Sequence, residues 1–222
     1  DKPLAGVQPW WRIEDDGGRT LAQGRFAALD LPIGKNIALG RVTADLARLP
    51  APAHYKLVVG LEGTDVANDW NFWLYPDAVD PAIPAGVLVT HAWPEAEASL
   101  AQGGSVLYLP RKADLDWTSP PLADVPVFWN RLMNPGWSRM LGLWVDRAHP
   151  ALAGFPTSDH MDWQWSDLVA GARAFNIEHL PAGLKPIVQP IDDWNRNYRL
   201  GAVFEARVGR GRLLVTTFDL EN

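Results

Sequence analysis

The sequence predicts an α/β chain: an open sheet over residues 86–222, preceded by a small all-β, sandwich-like region over residues 1–78. Three observations carry that expectation. Short apolar runs broken by Pro and Gly fill residues 25–62, and Tyr55-Lys-Leu-Val-Val-Gly-Leu61 has strand composition. Asp77-Ala-Val-Asp-Pro-Ala-Ile-Pro-Ala85, with two prolines and little periodicity, reads as a linker. After it the grammar changes to buried apolar runs alternating with helical segments.

Taken in order, residues 1–25 read as irregular, with Trp10-Trp11 beside a Glu14-Asp-Asp-Gly-Gly18 turn. Arg25–Leu31, Asn36–Val42 and Tyr55–Leu61 are the apolar runs of the β region. If Asn68–Pro76 is a strand, Trp70, Phe72 and Leu74 share one face and Asn71, Trp73 and Tyr75 the other. Gly86–Thr90 is a short run of buried parallel-strand type. Pro94–Leu100 follows as a helix, with Pro near its first turn and acids at its N-terminal end. Gly103-Gly104 closes it and Ser105–Leu109 is the second strand, so the stretch is a β-α-β unit. Leu141–Val145 reads as a strand, Trp163–Phe175 as a helix and Lys185–Gln189 as a strand. Leu200–Val208 and Arg212–Phe218 form a hairpin about Gly209-Arg-Gly211.

Composition narrows the function. A formal net charge of -6 and no Lys/Arg cluster longer than a pair argue against nucleic acid, which needs a concentrated positive footprint, and against anionic membranes. No apolar run approaches the roughly 20 residues of a spanning helix. The absence of cysteine removes disulfides, thiolate catalysis and the usual structural zinc sites. A start at Asp1 suggests a processed product or a segment of something longer. Twelve tryptophans are the outlier, and Trp suits places where a ring is apolar on its face and polar at its edge, in packed cores and at sugar or protein interfaces.

Several residues invite a chemical reading. His91 lies just past the first α/β strand, where open sheets place ligands, and serves as a substrate contact or base, or as a loop histidine bonded to backbone. Asp192-Asp193 follow the strand at 185–191; neighbours in extended chain point apart, so they do not make one acid-base dyad, and loop bonding competes with ligand contact. His149, Asp159, His160 and Asp162 have only loose metal-ligand spacing, and Ser158 or Asp159 competes as a helix cap. No Gly-x-Ser-x-Gly elbow and no phosphate loop is present. Trp70/Asn71/Trp73, Trp129/Asn130/Arg131, Trp163/Gln164/Trp165 and Asp193/Trp194/Asn195 set an indole beside amides and charges. That is the complement of a sugar, whose axial C–H bonds stack on the ring while its hydroxyls are hydrogen-bonded. Core packing is the alternative for each; two residues apart, Trp163 and Trp165 cannot both face the core.

The motifs Asn68–Pro76, Phe128-Trp-Asn130, His149–Thr157, Trp163-Gln-Trp165 and Ile191-Asp-Asp-Trp-Asn195 together resemble the C-terminal part of bacterial glycoside hydrolase family 2 proteins of the sugar-binding, beta-galactosidase-like type. Gly103-Gly-Ser-Val-Leu-Tyr-Leu109, His149–Phe155 and Gly209–Val215 resemble the class I glutamine amidotransferase-like domain, which implies a flavodoxin-like open sheet for residues 86–222. The amidotransferase nucleophile is a Cys that this chain lacks. The family 2 catalytic acids sit in a TIM barrel, for which no segment here is long enough.

The resemblance therefore implies a non-catalytic accessory module of a polysaccharide-degrading enzyme, secreted or periplasmic. It would bind carbohydrate or complete the active-site wall of the parent. Its partners would be an oligosaccharide or polysaccharide and the catalytic domains of that parent, with no cofactor, metal, nucleic acid or membrane. Trp129, Asn130, His160, Trp163, Asp193 and Trp194 are the expected carbohydrate-binding residues, converging at the carboxyl ends of the sheet. Two alternatives stay open: a free-standing hydrolase using His91, His160 and Asp193, and a purely structural or oligomerising domain.

Overall fold

In a computed structural model, the structure describes residues 2–123, 140–193, 196–218 and 220. The chain divides into two compact units, Asp1–Val79 with Gly154–Pro156, and Asp80–Ala153 with Thr157–Asn222.

The first unit is antiparallel β. Strands β1 (Leu4–Val7), β2 (Pro9–Asp15), β3 (Thr20–Arg25), β4 (Leu29–Leu31), β5 (Ala53–Leu61) and β6 (Ala67–Leu74) form a two-stranded β1-β4 ladder and a four-stranded sheet in the order β3-β2-β5-β6. Residues 9–25, read from the sequence as largely irregular, are therefore a hairpin. Its turn is held by Asp15, whose carboxylate accepts from the backbone N–H of Gly17 and Arg19 at 3.0 Å and from Arg19 Nε at 3.1 Å. Those bonds, the Arg19 backbone N–H foremost, hold the Asp15 carboxyl below its ordinary value. The sheet carries two opposed indoles. Trp10 lies over Gly60, where any Cβ would meet its ring, and Trp11 lies over Gly24, where a Cβ would come within 2.7 Å of Nε1. Asn36–Val42 is not a strand. In β6 the expected alternation holds: Trp70 and Phe72 pair with Leu57 and Tyr55 on one face, and Asn71 and Trp73 with Lys56 and His54 on the other.

The second unit contains β7 (Val87–Thr90), α1 (Trp93–Ala101), β8 (Ser105–Tyr108), β9 (Met140–Val145), the one-turn α2 (Ser166–Val169), β10 (Phe175–Asn176), β11 (Pro186–Asp192), β12 (Leu200–Gly201), β13 (Val203–Val208) and β14 (Gly211–Thr216). Six strands form one sheet in the order β7-β8-β14-β13-β11-β9; β10 and β12 form a separate short ladder. The β-α-β unit is present, with β7 and β8 parallel. Pro94 and Glu95 occupy the first turn of α1, and Glu95 accepts from the Thr90 hydroxyl at 2.5 Å. Gly103, at φ 86, terminates the helix in a conformation only glycine adopts cheaply. Ala96 and Leu100 of α1 are buried in one core cluster with Val106, Tyr108, Leu213 and Val215. Gly211 permits the close approach, since a Cβ there would come within 2.7 Å of Leu100 Cα. Burial of each large side chain contributes about 1.5–3 kcal/mol.

The flavodoxin-like α/β sheet expected for residues 86–222 does not form, and the chain is mostly β. A doubly wound sheet needs a helical crossover for nearly every parallel neighbour and helices on both faces. Among the described residues only α1 serves as a crossover helix; β14-β13, β13-β11 and β11-β9 are all antiparallel. The helix expected over Trp163–Phe175 is a 3₁₀ turn (Trp163–Trp165) and the four residues of α2, after which Gly171, at φ 72, turns the chain toward β10.

Candidate functional site

Of the six expected binding residues, Trp129, Asn130 and Trp194 lie outside the described residues, and with them the expected placement of Trp163 beside Trp194. His160, Trp163 and Asp193 are described. They do not share one environment.

His160 belongs to an exposed surface at the β9 edge, and exposed Trp163 follows it three residues later in the chain. Asp159–Met161 runs antiparallel to β9: Val145 donates to the Asp159 carbonyl at 2.9 Å and Met161 to the Leu143 carbonyl at 3.2 Å, which sets His160 opposite Trp144. Directly opposed residues put their side chains on the same face with Cβ atoms about 4.5–5.5 Å apart. On β11, Gln189 pairs with Trp144, so an indole, an imidazole and an amide share one face. Trp144 is 45% exposed, while its neighbours Leu143 and Val145, on the other face, are buried. Asp159 Oδ1 lies 2.8 Å from His160 Nδ1, and that hydrogen bond is the main reason the Asp159 carboxyl sits below its ordinary value.

The next residues split the two tryptophans. The Asp162 carboxylate accepts from the Trp163 backbone N–H at 2.7 Å and starts the 3₁₀ turn. Trp165 then points into the core at 1% exposure, its indole N–H donating to Thr157 Oγ1 at 3.0 Å and its ring centroid 5.9 Å from that of Phe218. Trp163 stays on the surface at 59% exposure. Trp144 and Gln189 were not singled out from the sequence, although the alternation of Leu141–Val145 carries the signal for the first.

Asp193 is buried, 5% exposed, at the end of β11. Its backbone carbonyl accepts from Arg196 and Asn197, both at 2.9 Å. Its neighbour Asp192 is the staple of this loop, accepting from Arg196 Nε at 2.9 Å, from Arg196 Nη2, and from the Tyr198 backbone N–H at 2.8 Å. The same carboxylate pushes the Arg196 guanidinium above its ordinary value. For Asp192, loop bonding is the role seen. His149 likewise serves locally: Nδ1 accepts from Ala151 N at 3.2 Å, and Nε2 lies 3.5 Å from Glu205 Oε1. Among the described residues no three His, Cys, Asp or Glu side chains converge to hold a metal ion, and no helix is long and apolar enough to cross a membrane.

His91 Nδ1 lies 2.7 Å from the Leu109 carbonyl, the backbone-bonded state of a loop histidine. It borders an open, largely apolar groove of about 1180 Å³ that extends from the segment after β7 across residues of β8, β13 and β14. Phe204, Leu213 and Val215 floor the groove, with Trp93, Leu180 and Leu184 beside them. Burial raises the Tyr108 phenol in its lining. Six chain segments contribute to it, which is why no local pattern announced it.

Residues 88–222 match the family model described as Domain of unknown function (DUF8487), and residues 1–76 match the one described as Domain of unknown function (DUF8488). No curated protein matches the chain.

Proposed function

The chain belongs to the family of the domain of unknown function DUF8487, and we propose that it is a carbohydrate-binding, non-catalytic accessory module of a secreted or periplasmic polysaccharide-degrading glycoside hydrolase. The observation that carries this reading is the surface at the β9 edge. Trp144 and His160 are opposed across one face, Gln189 lies next to Trp144, and exposed Trp163 follows three residues after His160 of the Asp159–His160 pair. Exposed indoles on a hydrogen-bonded strand cost little conformational entropy to use. They offer an apolar platform to the C–H face of a pyranose, while imidazole, amide and carboxylate exchange hydrogen bonds with its hydroxyls. Aromatic anchors of this kind dominate binding energy when truncated.

Calorimetric titration of the whole chain with cello-, xylo-, manno- and galacto-oligosaccharides tests the reading. We expect at least one series to bind, and Trp144→Ala and Trp163→Ala each to weaken it tenfold or more, about 1.4 kcal/mol, with circular dichroism unchanged. Absence of binding to every series, or affinity in both variants unchanged from that of the unsubstituted chain, ends it.

Completion of a parent active-site wall is favoured by a separate observation, the groove beside His91. A catalytic domain of the parent that loses activity when Ala206, in the groove lining, is replaced by Arg supports this role; unchanged activity removes it.

A further inference from the structure

A polar cavity lies in the first unit, and its lining shares no residue with the surface described at β9. The turn joining β5 to β6 stands over one end of β2 and β3. It is held by Leu61 N to the Val66 carbonyl at 3.0 Å, Thr64 Oγ1 to the Leu61 carbonyl at 2.9 Å and Glu62 N to the Gln8 carbonyl at 2.9 Å. Between turn and sheet is a polar cavity of about 530 Å³, lined among others by Trp10, Arg12, Gln23, Arg25, Glu62 and Thr64. That volume falls within the roughly 300–1,000 Å³ of small-molecule sites. The β2-β3 register puts Trp10 opposite Arg25 and Arg12 opposite Gln23, so these four side chains share the face on which the cavity opens. Trp10 is seated on Gly60 and has the Arg12 guanidinium carbon 4.9 Å from its ring centroid.

Charge selects the ligand class. Each guanidinium already has a carboxylate: Arg25 Nη2 lies 2.9 Å from Glu62 Oε1, and Arg12 Nε 2.5 Å from Glu14 Oε1. The cavity therefore holds no surplus positive charge for an anion. Exposed ion pairs are worth only about 0–1 kcal/mol, so opening Arg25–Glu62 costs little. Its two halves suit a pair of adjacent hydroxyls, the guanidinium donating to their oxygens and the carboxylate accepting their protons, with the Gln23 amide and the Trp10 edge alongside. We propose that this cavity binds a neutral pyranose residue.

The inference shares a ligand class with the proposed function but rests on different residues, so the two fail separately. Saturation-transfer NMR of the whole chain with methyl glucoside, methyl galactoside, methyl mannoside and glucuronate is the test. Trp10 is too embedded to remove safely; Arg25→Ala and Glu62→Ala change exposed side chains. The expected result is transfer to at least one neutral glycoside, reduced threefold or more by either substitution and kept in the Trp144→Ala/Trp163→Ala double variant. Loss in that double variant with retention in Arg25→Ala and Glu62→Ala overturns this inference and leaves the β9 surface standing. A stronger response from glucuronate than from every neutral glycoside, or none from any neutral glycoside, overturns it as well.

Discussion

Trp10-Trp11 in the first unit and Trp163/Trp165 in the second are two ways of dividing a pair of indoles. On β2 the strand pleat sends adjacent rings to opposite faces, and each lies over a glycine of the neighbouring strand, Gly60 or Gly24. In the second unit a 3₁₀ turn started by Asp162 separates rings two residues apart, and a hydroxyl, Thr157 Oγ1, receives the buried one. In one region the indole is accommodated by removing a side chain, in the other by supplying a hydrogen-bond acceptor. How Trp10, Trp11 and Trp165 are accommodated is thus decided by what another segment offers each ring, and tryptophan content alone does not reveal which rings remain available to a ligand.

Substitutions break the comparison in descending order of effect. Trp165→Ala should cost about 3–5 kcal/mol, as for large aromatic truncations in cores, whereas Trp163→Ala should stay within about 0.5 kcal/mol; urea denaturation of the two variants measures the contrast. Equal losses would mean that the rings are not divided. Gly60→Val forces Trp10 off its seat and Gly211→Ala pushes against the Leu100 backbone, each for about 1–3 kcal/mol of overpacking by the same denaturation. Trp165→Phe keeps most of the ring but leaves Thr157 without its indole donor, at about 1 kcal/mol beyond the packing loss; Thr157→Val in the same background should then add little.

The smallest effect concerns pH. The Asp15 carboxyl is held below 3.8 in the folded hairpin, so it favours the fold above that value and the contribution is lost as pH falls through the lowered one. A carboxyl shift titration should show the depressed midpoint, and Asp15→Asn should flatten the acid limb of the stability curve. An Asp15 midpoint at or above 3.8 would refute the hydrogen-bonded turn as drawn.

What was legible in the sequence was local. Pro94, Glu95 and Gly103-Gly104 mark the ends of α1, and β13-β14 is announced by Gly209 between two alternating runs. Rings two apart in a helical turn cannot share a face, which is how Trp163 and Trp165 part. Two adjacent tryptophans hid the alternation of β2, because each face has one large apolar residue at the same point. The flavodoxin-like expectation extended one genuine β-α-β unit to the whole region. Pairing β8 with β14, and placing β11 next to β13, are long-range choices with no local signal. The candidate surface was half legible: His160 and Trp163 were singled out, but Trp144 and Gln189 join them only through the pairing of residues 159–161 and β11 with β9.

The central claim is that the indoles left exposed at the β9 edge meet a sugar. A crystal of the whole chain soaked with the tightest-binding oligosaccharide tests it most directly. The account predicts density for a pyranose ring stacked on Trp144 or Trp163 with a hydroxyl in hydrogen-bond reach of His160, Gln189 or Asp159. Sugar density found only elsewhere, with both indoles bare, would contradict it.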